Sequence, residues 1–517
     1  MSHILAPVDL EERIGWGVNS LLGSLDPTQR HMPYWALRWN RGLGSFYHAG
    51  AWDWCHDVAR VLHGLHCASQ WVHVDVEQPV WEDLASLQME LFDDEYLPGC
   101  PRDTDGERFV NLHNIREASH AFRALIARGH NEAEEYARKM VRKMLTAVDR
   151  QGKIDLAQLP GTVDNYTWHP HMEGRAVDAL LRLYRVNGDD ACIELASRVS
   201  RYALEHCFGP VGALLPAAGL HGHSINALVA GMADLARFSA DGELMQRVSD
   251  VYRNALPFYH STFGWSAESL GKPMTVRGEA NNTGDLLRAA LLLGEAGFPE
   301  HYEEAERILR SHLLPSQILD VDDLADEEAA RDADDLRVSR LRGGFSFPTP
   351  SDLLAREEDN FVTTDVTSGA LDGLCQARAY TITSDAHSRR VNLLVSSEGH
   401  GVRVESQLPC NGALQICWDP GRPVFVRVPS WVQGSIVIVD AEGEARAAPA
   451  VNGYLLLDSG TEAGACDLRF DISEHETQEI VMFEHFHIRW RGDQIIAMDP
   501  PRDLPVFRPM FPRREGR

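Results

Sequence analysis

Residues 221–244, HGHSINALVAGMADLARFSADGEL, contain the pattern that is most informative about the fold of this chain. Two histidines precede a run in which apolar residues recur at i, i+3, i+4 and i+7, which is the spacing of an amphipathic helix. The run ends at Ala240-Asp241-Gly242, a short turn that leads into a second amphipathic stretch, LMQRVSDVYRNAL (residues 244–256). The segment therefore predicts a helical hairpin with polar residues at the entrance to its first helix.

The same kind of junction, a His, Asp or Glu at the start of a helix-like stretch, recurs along the chain. Its six positions are Asp53, His113, His171, His223, Glu279 and Asp365. The successive intervals are 60, 58, 52, 56 and 86 residues, and a repeat of about 55 residues suits a helical hairpin with its loops. Six such hairpins closed into a ring would bring all six helix entrances to one rim. We therefore predict an (α/α)6 barrel with a polar rim.

The barrel pattern covers residues 51–385, and an acidic, aromatic-free insertion at residues 320–336 explains the long last interval. From residue 386 the chain changes to short β-branched runs such as VFVRVPSW (residues 424–431), separated by turn residues. This change predicts an antiparallel β-sandwich over residues 386–498. The fold class is thus mainly α plus β. Residues 1–50 are expected to pack on the barrel as an extension, and residues 499–517 to form a C-terminal tail.

Composition narrows the classes of function. The 517 residues carry a net charge of −27 with 24% charged residues, which argues against nucleic acid and anionic membrane surfaces as partners. The sequence contains no apolar run of membrane-spanning length and no signal-peptide pattern. Nine scattered cysteines without a CxxC pair indicate reduced thiols, so we expect a cytoplasmic protein. The sequence leaves open whether the protein forms a homodimer. P-loop, GxGxxG, GxSxG and HExxH motifs are missing, which disfavours nucleotide-dependent and serine-hydrolase chemistry.

Histidines and a tryptophan stand at the middle junctions. Trp168, His169 and His171 lie in one loop, His223 lies in the next, and His113 in the preceding one. Neutral imidazoles donate and accept hydrogen bonds, and an indole offers an apolar face with a polar edge, so the set predicts sugar binding. Capping and packing of the junctions is the alternative interpretation. Two His-X-His pairs without an evident third ligand are weak evidence for metal, and we predict neither a metal nor another cofactor.

Carboxylates stand at the later junctions, in Gly264-Trp265-Ser266-Ala267-Glu268, at Glu279, and at Asp365. Two carboxylates in different environments can divide the roles of proton donor and base or nucleophile, as glycoside hydrolysis requires. We therefore predict Glu268, Glu279 and Asp365 as catalytic residues. Asp53, between two tryptophans, and Asn281 are predicted to add to sugar binding. Helix capping with an acidic first turn explains Asp365 equally well.

Seven segments, in order from about residue 112 to residue 498, resemble glycoside hydrolase family 127, whose best-known activity is β-L-arabinofuranosidase. They include GRAVDALLRLYRVNGDD, HGHSINALVAGMADLARF, RGEANNTGDLLRAALLL and VFVRVPSW. The resemblance implies an (α/α)6 barrel followed by β-sandwich domains. It implies sugar-binding roles for His223, for His171 with Glu173 as the alternative register, and for His113. It places the general acid/base at Glu268 and a zinc-binding glutamate at Glu279.

The departures from that family concern its cysteines. The family's Glu-Thr-Cys motif reads Glu279-Ala280-Asn281 here, and its Cys-Cys pair reads Val366-Thr367 or Thr367-Ser368. Cys375 lies two turns inside the helix. The thiolate nucleophile and its zinc are therefore not expected, and carboxylates are expected to replace them.

From these observations we predict a glycoside hydrolase acting on a small glycoside or a terminal, furanosidic sugar. Glu268 is the predicted general acid, with Glu279 or Asp365 as the second carboxylate. Three alternatives stay open: β-elimination on uronic acids as in polysaccharide lyases, a non-catalytic carbohydrate-binding protein, and a metal-dependent variant in which His169, His171 or His223 joins Glu279.

Overall fold

A computed structural model describes the chain over most of its length. The described residues are 8–40, 43–48, 54–92, 96–101, 108–159, 168–270, 277–319, 321, 338–350, 361–447, 449–458, 462–481 and 484–500. Asp53, the acidic insertion apart from residue 321, and residues 501–517 of the predicted tail lie outside them.

Thirteen α-helices lie within the described residues. They are α1 (Leu10–Gly23), α2 (Trp54–Ala68), α3 (Gln78–Glu90), α4 (Asn114–Ala127), α5 (Asn131–Ala147), α6 (Val177–Asn187), α7 (Asp190–His206), α8 (Gly222–Ser239), α9 (Gly242–Asn254), α10 (Ala280–Glu295), α11 (Glu300–Ile308), α12 (Leu314–Ser316) and α13 (Thr364–Thr381). A π-helical turn, Leu309–Leu313, joins α11 to α12.

Six of these helices form a closed inner ring. Helices α2, α4, α6, α8, α10 and α13 each pack against the next, and α13 packs against α2. Helix α8 is buried on every side from Gly222 to Ala236, whereas α9 buries one face through Met245, Val248, Val251 and Tyr252. This contrast follows from position, because an inner helix has neighbours all round and an outer helix faces solvent. The predicted (α/α)6 barrel is confirmed.

Six helices cover this ring from outside. Five follow their inner partners in sequence: α3 on α2, α5 on α4, α7 on α6, α9 on α8 and α11 on α10. The sixth is α1, from the segment predicted as an extension, which packs on α13 and α2. The first helix of the chain thus completes the sixth hairpin, whose inner helix comes more than 300 residues later.

Three outer helices are followed by the same tight turn. Single β-bridges pair Val148 with Ile154, Phe208 with Leu214 and His260 with Ser266. A glycine in each turn, Gly152, Gly212 or Gly264, has φ between +82° and +94°, a conformation that strains other residues. A Cβ on Gly212 would lie 2.3 Å from the backbone of Asp250 in α9. The glycines therefore let each turn pack on the next outer helix.

The strands within the described residues make small sheets at the barrel and larger ones after it. Those before residue 364 are β1 (Leu25–Asp26), β2 (Met32–Pro33), β3 (Ala36–Asn40), β4 (Leu43–Tyr47), β5 (Gly99–Pro101), β6 (Arg108–Val110), β7 (Ser346–Phe347) and β8 (Phe361–Thr363). The sheet β4-β3-β8-β7 matters for function, because β8 runs directly into α13 and thereby places Asp365.

The C-terminal strands are β9 (Ile382–Ser384), β10 (Arg389–Val391), β11 (Ser397–Gly399), β12 (Val402–Ser406), β13 (Ala413–Trp418), β14 (Val424–Arg427), β15 (Val432–Asp440), β16 (Ala445–Ala447), β17 (Tyr454–Asp458), β18 (Gly464–Ile472), β19 (Glu474–Val481), β20 (Glu484–Arg491) and β21 (Gln494–Asp499). The sheets β17-β14-β10-β9 and β11-β12-β13-β18-β15-β16 share one apolar core, which includes Val404, Ile416 and Val426. The predicted sandwich is confirmed. Its strand pairs are antiparallel except β10 with β14.

The last three strands, β19-β20-β21, form a separate sheet rather than extending the sandwich that we predicted up to residue 498. Phe486, Ile488 and Trp490 alternate along β20 and pack against Phe263 and Trp265 of a barrel turn. The apolar partner of this sheet is therefore the barrel. No helix among the described residues is long and apolar enough to cross a membrane.

Candidate active site at the barrel rim

Histidines from successive helix entrances form a continuous row at the rim. The ring centroids of His56 and His113 lie 5.6 Å apart, those of His113 and His171 4.4 Å apart, and those of His171 and His221 4.7 Å apart. His223 follows at 6.1 Å from His221. These five side chains come from the first four junctions. Ring closure therefore brings together the predicted His113, His171 and His223 and adds His56 and His221.

Three histidines of the row, His113, His221 and His223, favour the neutral form of the imidazole. Burial and nearby positive charge hold the pKa of His113 and His223 well below its usual range, and burial together with neighbouring histidines does so for His221. The Nδ1 atom of His221 accepts a hydrogen bond from the backbone N–H of Ser224 at 3.2 Å, so the ring proton sits on Nε2. Neutral imidazoles both donate and accept, which suits a ligand rich in hydroxyl groups.

Asp365 lies in the first turn of α13, within an array of cations and polar groups. Its Oδ1 is 2.8 Å from Nη2 of Arg60 and 3.1 Å from Nε2 of His56. Its Oδ2 accepts a hydrogen bond from Nδ2 of Asn281 at 3.3 Å. Burial alone would raise the pKa of this carboxyl, but Arg60 and His56 hold it well below the usual range. Asp365 is therefore ionised at neutral pH, and about 20% of its side chain remains exposed.

Glu279 lies at the N-terminal end of α10 and has the opposite character. It is buried, and its Oε2 is 3.5 Å from Nδ1 of His223. Burial and the nearby charges of Glu268 and Asp365 raise its pKa well above the usual range. The protonated form of Glu279 is therefore favoured. The rim thus favours a proton on one carboxyl and a negative charge on another, which is how proteins divide acid and base roles between two carboxyls.

Glu268 connects two junctions through its backbone. Its carbonyl accepts hydrogen bonds from the N–H groups of Gly222 (2.7 Å) and His223 (3.4 Å) at the start of α8, and its own N–H donates to the carbonyl of Arg277 (2.8 Å). The side chain is half-buried, and its charge raises the pKa of Glu279. The structure therefore brings the three predicted catalytic carboxyls to one rim.

A layer of buried charges lies beneath the rim. Glu117 contacts three guanidinium groups, those of Arg60 (3.0 Å), Arg175 (3.0 Å) and Arg116 (3.4 Å). Arg116 also donates to both carboxylate oxygens of Asp285, at 2.9 and 3.0 Å. Burying an unpaired charge is energetically costly, so this buried network is stable only because each ion has partners of opposite charge. It fixes the guanidinium that pairs with Asp365.

Sequence reasoning missed these charged residues. A signal was present, because Glu117 and Arg175 follow the junction residues His113 and His171 by four residues. Residues at i and i+4 lie on the same helix face, which accounts for Glu117 in α4, whereas Arg175 lies in a 3₁₀ turn directly before α6. The Arg175 guanidinium contacts the His113 ring. The network therefore supports the histidine row as well as the carboxylates.

Two further predicted sugar-binding residues contact other parts of the chain. Both ring nitrogens of His169 face protein oxygens, Nδ1 at 2.7 Å from Glu173 and Nε2 at 3.1 Å from the carbonyl of Val199. Its imidazole is thus occupied in packing the loop onto α7. Trp168 lies against Gly219, where an added Cβ would be 2.1 Å from the indole ring, and stays partly exposed. Asn281 joins the rim, since its Nδ2 lies 3.4 Å from Nδ1 of His223.

The rim does not fit the zinc–thiolate set that the family resemblance implies. Asn281 and Thr367 occupy positions where that set needs sulfur, and Thr367 accepts a hydrogen bond from the backbone of Phe345 at 3.0 Å. Cys375 is buried within α13, and its thiol pKa is raised by burial. Among the residues that the structure describes, the rim therefore offers no donor set for zinc chemistry of that kind.

Two other groups of described residues bring three metal-ligating side chains within reach of one another: His56 with His113 and Glu117, and His63 with Cys67 and Asp372. Arginines already neutralise both. Glu117 contacts Arg60, Arg116 and Arg175, and Asp372 lies 2.9 Å from Arg182. The adjacent positive charge disfavours a cation at either place.

No family model and no curated protein matches this sequence. Solved structures do match. A glycoside hydrolase family 127 β-L-arabinofuranosidase from Geobacillus stearothermophilus T6 has a TM-score of 0.62 at 14% identity, covering 94% of this chain and 80% of that one. A second family 127 β-arabinofuranosidase has a TM-score of 0.63 at 13% identity, covering 95% and 81%. A protein described as a glycoside hydrolase has 0.58 at 15% identity, covering 93% and 80%. This chain has the fold of the glycoside hydrolase family 127 β-L-arabinofuranosidases.

Proposed function

We propose that this protein is a glycoside hydrolase that removes a terminal sugar or cleaves a small glycoside at the barrel rim. The observation that carries the proposal is the opposite pKa displacement of two carboxyls at one rim, upward for Glu279 and downward for Asp365. Glycosidic bond cleavage needs this pair of states, one carboxyl that gives a proton and one that carries negative charge. The fold shared with glycoside hydrolases supports the same conclusion.

In this proposal Glu279, rather than the Glu268 expected from sequence, is the proton donor. Its proton passes to the glycosidic oxygen as the bond to the anomeric carbon breaks. The ionised Asp365 faces the positive charge that develops on the sugar, and acts either as nucleophile or as base for a water molecule. The separation of the two carboxyls during catalysis selects between these outcomes. Glu268 keeps Glu279 protonated through its own negative charge.

The histidine row holds the sugar. The His171 and His221 rings meet edge to face with centroids 4.7 Å apart, and the His223 ring lies 6.1 Å from the His221 ring. Their nitrogens present donors and acceptors to several hydroxyl groups of one sugar unit. Because a β-L-arabinofuranosidase shares this fold, a terminal β-L-arabinofuranoside is the first substrate to test.

Hydrolysis of a panel of 4-nitrophenyl glycosides, including the β-L-arabinofuranoside, tests the proposal. Glu279→Gln and Asp365→Asn are each expected to lower kcat by about 10²–10⁴-fold, the usual contribution of a positioned acid or base. Asp241→Asn is the matched control, because Asp241 caps α9 on the outer layer and an Asn also caps.

Three results would overturn the proposal. The first is full activity in both variants. The second is an ultraviolet-absorbing unsaturated product, which would indicate β-elimination. The third is calorimetric binding of these glycosides without any turnover, which would indicate a carbohydrate-binding protein.

A further inference from the structure

The buried ring of His223 has polar groups of the rim beside both of its nitrogens. Nε2 lies 3.1 Å from Oδ2 of Asp285 in α10 and 3.4 Å from Nη1 of Arg116. Nδ1 lies 3.4 Å from Nδ2 of Asn281 and 3.5 Å from Oε2 of Glu279. A neutral imidazole carries its proton on one nitrogen only, and the partners of the two nitrogens decide which one. That choice decides what His223 offers to Glu279.

The orientation of the Asn281 amide settles the state of Nδ1. Oδ1 of Asn281 accepts a hydrogen bond from the backbone N–H of Asn282 at 2.8 Å, so the amide nitrogen is the atom that faces Asp365 and His223. Its two hydrogens are directed to Oδ2 of Asp365 at 3.3 Å and to Nδ1 of His223 at 3.4 Å. A donor opposite Nδ1 requires a lone pair on that nitrogen. The proton of His223 therefore lies on Nε2.

Asp285 supplies the acceptor that this proton needs. Its Oδ2 is the nearer of the two groups beside Nε2, and its two oxygens accept from Nη2 of Arg116 at 2.9 and 3.0 Å, which orients the carboxylate. Asp285 is buried, so water competes little for the same contact. Without this carboxylate the Arg116 guanidinium would be the nearest group to Nε2, and a donor there would favour a proton on Nδ1 instead.

We propose that Asp285 is a positioning residue that holds His223 in the Nε2–H tautomer and thereby turns an acceptor, Nδ1, toward Glu279. A buried carboxylate bonded to one ring nitrogen fixes the tautomer in Ser-His-Asp triads in the same way. An acceptor opposite Oε2 favours a proton on the Glu279 carboxyl, as acid catalysis requires, whereas an N–H at that place would favour the carboxylate. The catalytic consequence rests on the function proposed above, but the tautomer does not.

Long-range ¹H–¹⁵N correlation spectra of the full chain, labelled with ¹⁵N in its histidine rings, report the tautomer. The chain contains 23 histidines, and the signals lost in His223→Gln assign the His223 ring. In the wild type at neutral pH, the Nε2 resonance is expected in the range of protonated ring nitrogens and the Nδ1 resonance in that of unprotonated ones. The reverse pattern would overturn the proposal, whatever the activity of the protein.

Asp285→Ala is expected to move the Nε2 resonance toward the unprotonated range, because Arg116 then donates to it. Asp285→Asn keeps an acceptor oxygen and is expected to retain the wild-type pattern. Asp234→Ala is the matched control, since Asp234 is also a buried aspartate paired with arginines and lies toward the far end of α8 from His223. An unchanged His223 pattern in folded Asp285→Ala would overturn the proposal. If that variant does not fold, the wild-type spectrum still decides.

Kinetic measurements separate this inference from the proposed function. On any glycoside that the wild type hydrolyses, Asp285→Ala is expected to lower kcat by about tenfold or more, and Asp285→Asn by less. Wild-type kcat in Asp285→Ala, together with a displaced tautomer, would overturn the positioning role of Asp285. A protein that hydrolyses no glycoside but shows the expected tautomer would overturn the proposed function and support the assignment of the His223 proton.

Discussion

Nη2 of Arg60 lies 2.8 Å from Oδ1 of Asp365 and 3.0 Å from Oε1 of Glu117. One guanidinium on α2 therefore joins the rim carboxylate to the buried charges beneath it. Because Arg60 is buried, water screens this interaction weakly. Arg60 is thus a positioning residue, which keeps Asp365 ionised without itself contacting the reacting bond in the proposed mechanism.

Arg60→Gln is expected to raise the pKa of Asp365, because its closest positive charge is removed. The acidic limb of kcat/KM should then move to higher pH, since Asp365 acts in its ionised form. Stability should also fall by about 3–5 kcal/mol, because Glu117 loses one of its cationic partners. Arg60→Lys keeps the charge and is expected to restore part of the pH shift. An unchanged acidic limb in an Arg60→Gln variant that remains folded would contradict this role.

Glu268→Gln is expected to lower the pKa of Glu279, because a neighbouring negative charge is removed. Activity depends on protonated Glu279 and is lost as the pH rises through its pKa. The alkaline limb of the kcat profile should therefore move to lower pH, while activity at the acidic side stays within about tenfold of the wild type. Glu268→Asp keeps the charge and serves as control. A loss of activity that is uniform across pH would instead indicate that Glu268 itself transfers the proton.

Asp493 predicts a pH dependence of stability that is separate from activity. Burial and the charge of Glu306 raise its pKa to about 7, against the opposing influence of Arg310 and Arg427. Between the unfolded value near 4 and this folded value, the folded state binds more protons than the unfolded state. The contribution of Asp493 to the free energy of unfolding is therefore stabilising at low pH and is lost as the pH rises toward 7.

Asp493→Asn removes this ionisation. We compare the melting temperature of the variant with that of the wild type at each pH. The variant-minus-wild-type difference is expected to be at least about 2 °C larger at pH 8 than at pH 5. Scanning calorimetry at the two pH values measures this. Glu484→Gln, on an exposed part of the same sheet, is the control. A pH-independent difference between the Asp493 variant and the wild type would contradict the prediction.

Gly212→Ala tests the repeated turn. Gly212 has φ of +82°, and a Cβ would lie 2.3 Å from the Asp250 backbone, so destabilisation of about 2 kcal/mol or more is expected. Gly242→Ala is the matched control, because that glycine begins α9 with open space around its Cβ position. It should be neutral or stabilising by up to about 1 kcal/mol. Urea unfolding of both variants measures the difference, and equal midpoints would contradict the proposed packing of the turn.

The helical hairpins, the polar helix entrances at the rim and the strands of the sandwich could all be predicted from the amino-acid sequence. These features depend on local periodicity, because backbone geometry sets which side chains share a face. The sequence also identified most rim residues, since ring closure brings equivalent positions together. The separate C-terminal sheet and the use of α1 as an outer helix were not predictable in this way. They depend on which apolar faces remain uncovered after the barrel has closed.

The ionisation states of the rim carboxyls depend on the folded arrangement of the chain. Asp365 and Glu279 both stand at helix entrances and look alike in sequence. Arg60, 305 positions away from Asp365 in the chain, favours the ionised form of one, while burial beside Glu268 favours the protonated form of the other. The orientation of the His169 imidazole toward Glu173 and the carbonyl of Val199 likewise depends on tertiary packing. Ionisation depends on desolvation and on charges brought near by folding, and neither can be obtained from local spacing.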